Sequence, residues 1–172
     1  MATAYVALGA NEGDRLANLE SAVKHLREIT TVDAVSPIYE TEPMGFADQP
    51  WFLNSAARVI TLLFPAELLR ALQMIEDDLG KATLFPNGPR TIDLDLLLYD
   101  DLVESSANLD LPHPGMHKRR FVLTPLADIA PDVLHPIVGQ TIGEMLAALP
   151  PEPAVHKWGA ASALFPGHNI VS

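Results

Sequence analysis

The sequence predicts an α+β sandwich: a mainly antiparallel sheet with helices packed on one of its faces. Three observations carry this. Two early segments place apolar residues at helical spacing, several others are apolar over strand lengths, and their order along the chain is β-α-β-β-α-β. The short connections between the middle strands call for antiparallel hairpins.

Taken in order, residues 5–8 form a short first strand that Gly9 ends, and Asn11, Gly13 and Asp14 follow as turn and cap residues. Leu16, Leu19, Ala22, Val23, Leu26 and Ile29 recur every three or four positions, which predicts a helix over 14–29. Residues 31–39 are strand-like, with Pro37 marking an edge or a bend. A loop with two prolines and a glycine spans 42–50, and a longer strand covers 52–63. Pro65 suits the first position of a second helix, Leu68, Leu69, Leu72, Ile75 and Leu79 supply its apolar face, and Gly80 stops it. A loop over 81–89, a strand through Asp93 and Asp95, a turn at Asp100-Asp101, an irregular stretch over 109–115 and a helix over 119–130 complete the body. One domain is expected over 1–149, with the proline-rich residues 150–172 as a tail over its surface.

Bulk properties narrow the function. With 172 residues, 48% hydrophobic and 19% charged, the chain suits a folded globular enzyme. There is no cysteine, which removes disulfides, thiolate catalysis and cysteine zinc sites. A net charge of −11 argues against nucleic acid as a partner. Five of the eleven Lys and Arg residues fall between Lys81 and Arg120, a local basic patch that suits a small anionic ligand. No apolar run approaches the roughly 20 residues that span a bilayer, and no secretion signal is visible, so a cytoplasmic address without membrane association is expected. A monomer is expected, with a dimer left open.

The densest chemistry lies in Gly88-Pro89-Arg90-Thr91-Ile92-Asp93-Leu94-Asp95-Leu96-Leu97-Leu98-Tyr99. Side chains alternate along a strand, so Ile92, Leu94, Leu96 and Leu98 make one aliphatic row and Asp93 and Asp95 share the other face, about 7 Å apart at Cα. Taken alone, such a pair is more often a solvated strand face. Asp is nevertheless a poor strand former, and like charges in register repel, which a bound divalent cation beside a phosphate would offset. Arg90 stands just upstream.

Four further segments bear on function. Thr41-Glu42-Pro43-Met44-Gly45 leads into Phe52 and Asn54, which share a strand face and can offer stacking and an amide to a flat heterocycle; core packing explains them equally well. Gln73 and Glu76, three apart on the second helix, can reach a nucleotide or simply face solvent. The loop from Gly80 to Arg90 is long enough to act as a lid. In Pro112-His113-Pro114-Gly115-Met116-His117-Lys118-Arg119-Arg120-Phe121, two His and three cations can neutralise a triphosphate, although a cationic helix start opposes the helix dipole. Glycine-rich phosphate loops of the P-loop and dinucleotide type are absent, as is a serine nucleophile elbow.

These segments, together with Ala7-Leu8-Gly9-Ala10-Asn11 and Arg119-Arg120-Phe121-Val122-Leu123, occur in the order found in the 6-hydroxymethyl-7,8-dihydropterin pyrophosphokinase family, which the chain resembles over roughly residues 4–136. The resemblance implies a ferredoxin-like α+β fold and transfer of pyrophosphate from ATP to the pterin hydroxymethyl group, releasing AMP, in folate biosynthesis. It implies two magnesium ions (Mg2+) on Asp93 and Asp95, and a catalytic set of Arg90, Asp93, Asp95 and His113. By the same resemblance, Gln73, Glu76, Lys81, Arg90, Leu96, His113 and Arg119 contact ATP. Phe52 and Phe121 sandwich the pterin, while Asn54 and the loop residues Thr41, Pro43, Met44 and Gly45 hold its edge.

The chain departs from the family in the loop after the second helix, where the family often carries Gly-Arg-x-Arg. Here it reads Gly80-Lys81-Ala82-Thr83, so Lys81 keeps one charge without the guanidinium fork and Thr83 keeps neither. Two alternatives stand beside the transferase. One is a paralogue that binds pterin or nucleotide with little transfer, and the other is a pyrophosphokinase acting on a different acceptor.

Overall fold

Ala2–Ala10 (β1) carries apolar side chains on both faces: Ala4, Val6, Leu8 and Ala10 on one, Tyr5 and Ala7 on the other. A strand apolar on both sides belongs in the middle of a sheet, and β1 sits there. The computed structural model describes residues 1–42, 48–80 and 91–165. Its elements after β1 are α1 (Arg15–Ile29), β2 (Thr31–Val35), β3 (Ile38–Thr41), β4 (Phe52–Thr61), α2 (Pro65–Asp78), β5 (Asp93–Tyr99), β6 (Glu104–Ser105), β7 (Asp110–Leu111), α3 (Arg120–Ile129), α4 (Ile142–Ala148) and β8 (Val155–Gly159). The main sheet has six strands in the order β5-β1-β4-β3-β8, with β2 also on β4, and every pairing is antiparallel.

The predicted strand over 31–39 is broken at Ser36–Pro37 into β2 and β3, which lie end to end along β4. Proline has no N–H to give to the ladder, and Ser36 fills in: its N–H donates to Ala56 O and its Oγ accepts from Ala56 N, both at 2.8 Å. Counting β2 and β3 as one interrupted strand recovers the β-α-β-β-α-β order. The α+β class holds.

Three details of the sequence reading need correction. The first strand does not end at Gly9 but runs through it, from Ala2 to Ala10, because Gly9 is paired on both sides. Helices cover both sheet faces. Leu19, Val23 and Leu26 of α1 and Leu68, Leu72 and Ile75 of α2 pack on the Val6–Leu8 face, while Val122, Leu123 and Leu126 of α3 and Ile142 and Met145 of α4 pack on the Tyr5 face. A central strand apolar on both sides would otherwise leave one face wet. The aliphatic row of β5 is also interrupted. Val6 pairs with Leu96 but Tyr5 pairs with Leu98, so Leu97 is an extra residue, and Leu97 and Leu98 both join the α3–α4 core.

Residues 155–165, beyond Pro150, are built into the fold. β8 extends the sheet beyond β3, with Val155 opposite Thr41 and Lys157 opposite Tyr39. Phe165 is 1% exposed in the core beneath α1 and α2, with the Arg27 guanidinium 5.1 Å above its ring. Among the described residues, no helix is long and apolar enough to cross a membrane.

Candidate active site

Strand register brings the acidic pair into line with Asn54. Gly9 of β1 pairs with Asp93 on one side and Asn54 on the other, and Asn54 pairs with Tyr39. Asp93, Gly9, Asn54 and Tyr39 therefore form one row across the sheet, and Asp93 and Asn54 stand about 10 Å apart at two strand spacings. One step along, Asp95 is opposite Ala7 and Ala7 opposite Ala56. The floor between the carboxylates and Asn54 is thus glycine and alanine.

Gly9 is required by its neighbours. A Cβ built on it would lie 2.9 Å from Asn54 Oδ1 and 3.5 Å from Phe52 Cδ1, so both side chains lean across β1 where any other residue would push them away. Asn54 is buried, and its Nδ2 donates to Thr41 Oγ1 at 2.7 Å, which leaves Oδ1 over Gly9. Phe52 is half-buried. Thr41 is thus joined to Asn54 through its hydroxyl.

Asp93 and Asp95 are both half-buried on this face. His113 Nε2 lies 3.9 Å from Asp95 Oδ1, an electrostatic approach longer than a hydrogen bond. His113 is fixed by its backbone N–H, which donates to Leu97 O at 2.9 Å; among the described residues its buried Nδ1 has no hydrogen-bond partner. Beside them a cleft of about 250 Å³ opens at the edge of β5 away from β1, lined by Gln73, Leu94, Asp95, Leu96, Asn108 and His113 among others. The structure thus gathers Gln73, Leu96, His113 and Asp95 at one opening.

Glu76 is neither a solvated residue nor a lining one. It is 8% exposed, and its Oε2 accepts from Leu94 N at 2.8 Å. That bond shows that the Leu94 N–H points away from β1, and strand alternation turns the backbone of Leu96 outward too, toward the cleft. Leu96 can therefore offer main-chain groups to a ligand although its side chain is buried.

The cationic segment ends at α3, where Arg119 is the extended residue before the helix and is exposed, with no side-chain cap and no acidic residue in the first turn. Phe121, the second residue of α3, packs with Ala7 against the α3–α4 core. The far end of α3 is tied to the row by a hydrogen bond from Tyr39 Oη to Asp128. Burial, reinforced by the Asp128 carboxylate, raises the Tyr39 pKa well above the usual phenol value and keeps it a donor. Pro43, Met44, Gly45, Lys81 and Arg90 lie outside the described residues.

One support reads from sequence as a turn residue at the end of the segment Ala7-Leu8-Gly9-Ala10-Asn11. Asn11 is fully buried, and its Nδ2 donates to Gln49 Oε1 at 2.8 Å and to Pro50 O at 2.9 Å, anchoring the approach to Phe52. Its place two residues after Gly9 was the available signal.

Asp93 and Asp95 suit a hard cation that keeps much of its shell for phosphate and water. No group of three or more His, Cys, Asp or Glu side chains that could hold a metal occurs among the described residues. One or two carboxylates supplemented by substrate oxygens is the way magnesium is commonly bound.

A family model described as 7,8-dihydro-6-hydroxymethylpterin-pyrophosphokinase (HPPK) matches residues 5–131. The chain is 44% identical over 149 residues to the folic acid synthesis protein fol1 of Schizosaccharomyces pombe (strain 972), covering 86% of this chain but 20% of that protein. It is 48% identical over 132 residues to the 2-amino-4-hydroxy-6-hydroxymethyldihydropteridine pyrophosphokinase of Bacillus subtilis (strain 168), covering 76% of this chain and 79% of that one. Among solved structures, wild-type HPPK-DHPS of Plasmodium falciparum with pteroate superposes with a TM-score of 0.70 at 14% identity, over 85% of this chain and 44% of that one, a likeness of fold.

Proposed function

The chain belongs to the 7,8-dihydro-6-hydroxymethylpterin-pyrophosphokinase family, and from that footing we propose that it transfers pyrophosphate from ATP to the hydroxymethyl group of 6-hydroxymethyl-7,8-dihydropterin, as a step of folate synthesis. The observation that carries this is the single sheet row Asp93–Gly9–Asn54, with the β5 cleft opening beside its acidic end. A site for this reaction needs a flat-ring pocket and a polyphosphate pocket meeting at a cation seat, and this row offers that order.

In the proposed reaction, the pterin hydroxyl oxygen attacks Pβ of ATP, the bond from Pβ to the α–β bridging oxygen breaks, AMP leaves, and the hydroxyl proton passes to solvent. Catalysis of this kind rests on in-line positioning and charge neutralisation. Asp93 and Asp95 would hold magnesium, which when bound would offset the phosphate charge. Asn54 Oδ1, held over Gly9, would read the donors on the pterin edge, with Phe52 and Phe121 as stacking walls. Gln73 and the Leu96 backbone would hold the nucleotide at the cleft, and His113 Nε2 and Arg119 would face its phosphates.

The test is to incubate protein, ATP, magnesium and the hydroxymethyl pterin and to measure AMP. AMP is expected only when all four are present. Tight binding of both ligands without AMP would favour a binding paralogue, and AMP with another acceptor but not this pterin would favour a different substrate. Asp95→Ala should lower turnover by about a thousandfold or more while circular dichroism stays that of the parent protein.

A further inference from the structure

We propose that Arg15 is a positioning residue for the pterin-reading strand, gripping the entry of β4 from the sheet face opposite to the site. The proposal rests on the pterin reading above. Arg15 opens α1, whose first turn has no acidic residue, and a cation at that end opposes the helix dipole. Its side chain has another use. Nη1 donates to Glu40 Oε2 at 2.7 Å and to Trp51 O at 2.9 Å. One nitrogen therefore joins the start of α1, strand β3 and the peptide immediately before Phe52.

The register shows why this grip matters. Glu40 pairs with Leu53, which is buried in the core beneath α1, whereas its neighbours Thr41 and Tyr39 pair with Phe52 and Asn54. Alternation places Glu40 on the α1 face and Thr41, Phe52 and Asn54 on the site face. Arg15 thus holds the strand pair from behind, its two hydrogen bonds going to Glu40 and Trp51 rather than to Thr41, Phe52 or Asn54. The Trp51 carbonyl belongs to the peptide that sets the direction in which Phe52 leaves the backbone, so freeing it loosens the stacking wall and then the Asn54 amide two residues on. The two side chains are 25% and 31% exposed, and a pair so exposed contributes little to global stability. Positioning and folding can therefore be told apart.

The experiment compares Arg15→Ala, Arg15→Lys and Glu40→Ala with the parent protein, reading the pterin Kd by the ligand's own fluorescence, KM for pterin and for ATP, and the thermal midpoint. Arg15→Ala should weaken pterin binding about three- to tenfold, the scale of one charge-assisted contact acting through strand position, with the ATP KM and the midpoint close to those of the parent. Arg15→Lys, which keeps a charge and several donors, should recover part of that loss. The Arg15→Ala and Glu40→Ala effects should be less than additive in the double variant. An unchanged pterin Kd, or an equal rise in the KM of both substrates, overturns the proposal. If the parent protein binds pterin yet releases no AMP, the transfer reading fails while the Kd comparison still decides the role of Arg15; if it binds no pterin, both fall.

Discussion

Glu76 sits on α2 with one carboxylate oxygen on the Leu94 N–H, and Leu94 lies between Asp93 and Asp95. A buried acceptor on an edge strand fixes where that strand's side chains stand. Glu76→Ala would leave the Leu94 N–H buried without this acceptor, at a cost of about 1–3 kcal/mol, and should also raise the KM for magnesium-ATP. Glu76→Gln keeps a carbonyl acceptor and should cost less than half as much in urea unfolding. His135 gives the pH dependence. Its Nδ1 accepts from Ile137 N and Val138 N, and burial, aided by the neighbouring His117 ring, holds its pKa below the ordinary imidazole value. The unfolded chain then binds the proton first as pH falls. The contribution is complete above the ordinary value of about 6.5 and is lost as pH drops through the folded value. The thermal midpoint should fall as pH drops below about 6.5, and His135→Asn should flatten that slope. At this scale the pairing of Asp93 with Asp95 and of Phe52 with Asn54 was legible, because alternation is a property of neighbours. The burial of Glu76 and Asn11 was not, because a polar side chain on a helix face or in a turn reads as solvated until its partner is known.

At the scale of elements, periodicity placed α1 and α2 and the strands through Phe52 and Asp93 close to where they lie. The interruption at Ser36–Pro37 was half visible, since Pro37 marked a bend but not that Ser36 would carry the pairing to Ala56. α4 had a readable start that went unread. Thr141 and Glu144 form a capping box, with Glu144 N donating to Thr141 Oγ1 at 3.1 Å and Thr141 N to Glu144 Oε1 at 2.9 Å. β8 had no such mark, because only its outer residues are half-buried and its partner β3 is more than a hundred positions away in sequence. The integration of this last segment predicts that Phe165→Ala will destabilise the whole protein by about 3–5 kcal/mol in chemical unfolding, the cost of deleting a buried aromatic ring. A change below about 1 kcal/mol would mean that the segment is a removable appendage.

For the molecule as a whole, charge and topology act together. A net charge of −11 makes a bare polyphosphate an unwelcome guest beside two aspartates, so nucleotide binding should depend strongly on a divalent cation. Magnesium-ATP at about a hundred times its Kd should add about 2.7 kcal/mol and raise the thermal midpoint by roughly 5–10 °C, and excess chelator should abolish most of that rise. An equal rise with ATP and chelator would argue against the cation seat on Asp93 and Asp95. The helices on both faces also belong to this scale: they follow from β1 being apolar on both sides and central.

What the sequence determined by itself was local: strand and helix periods, the shared face of the two aspartates, and the order of segments that marks the family. These depend on residues within a few positions of one another. Only the tertiary structure decided that Gly9 stands between Asp93 and Asn54, that a cleft joins Gln73, Leu96 and His113, and that α1 reaches Trp51. Cross-strand register is set by burial and hydrogen bonding summed over the whole sheet, with one bulge in β5 enough to move a side chain from one core to the other. No short window of sequence holds that sum.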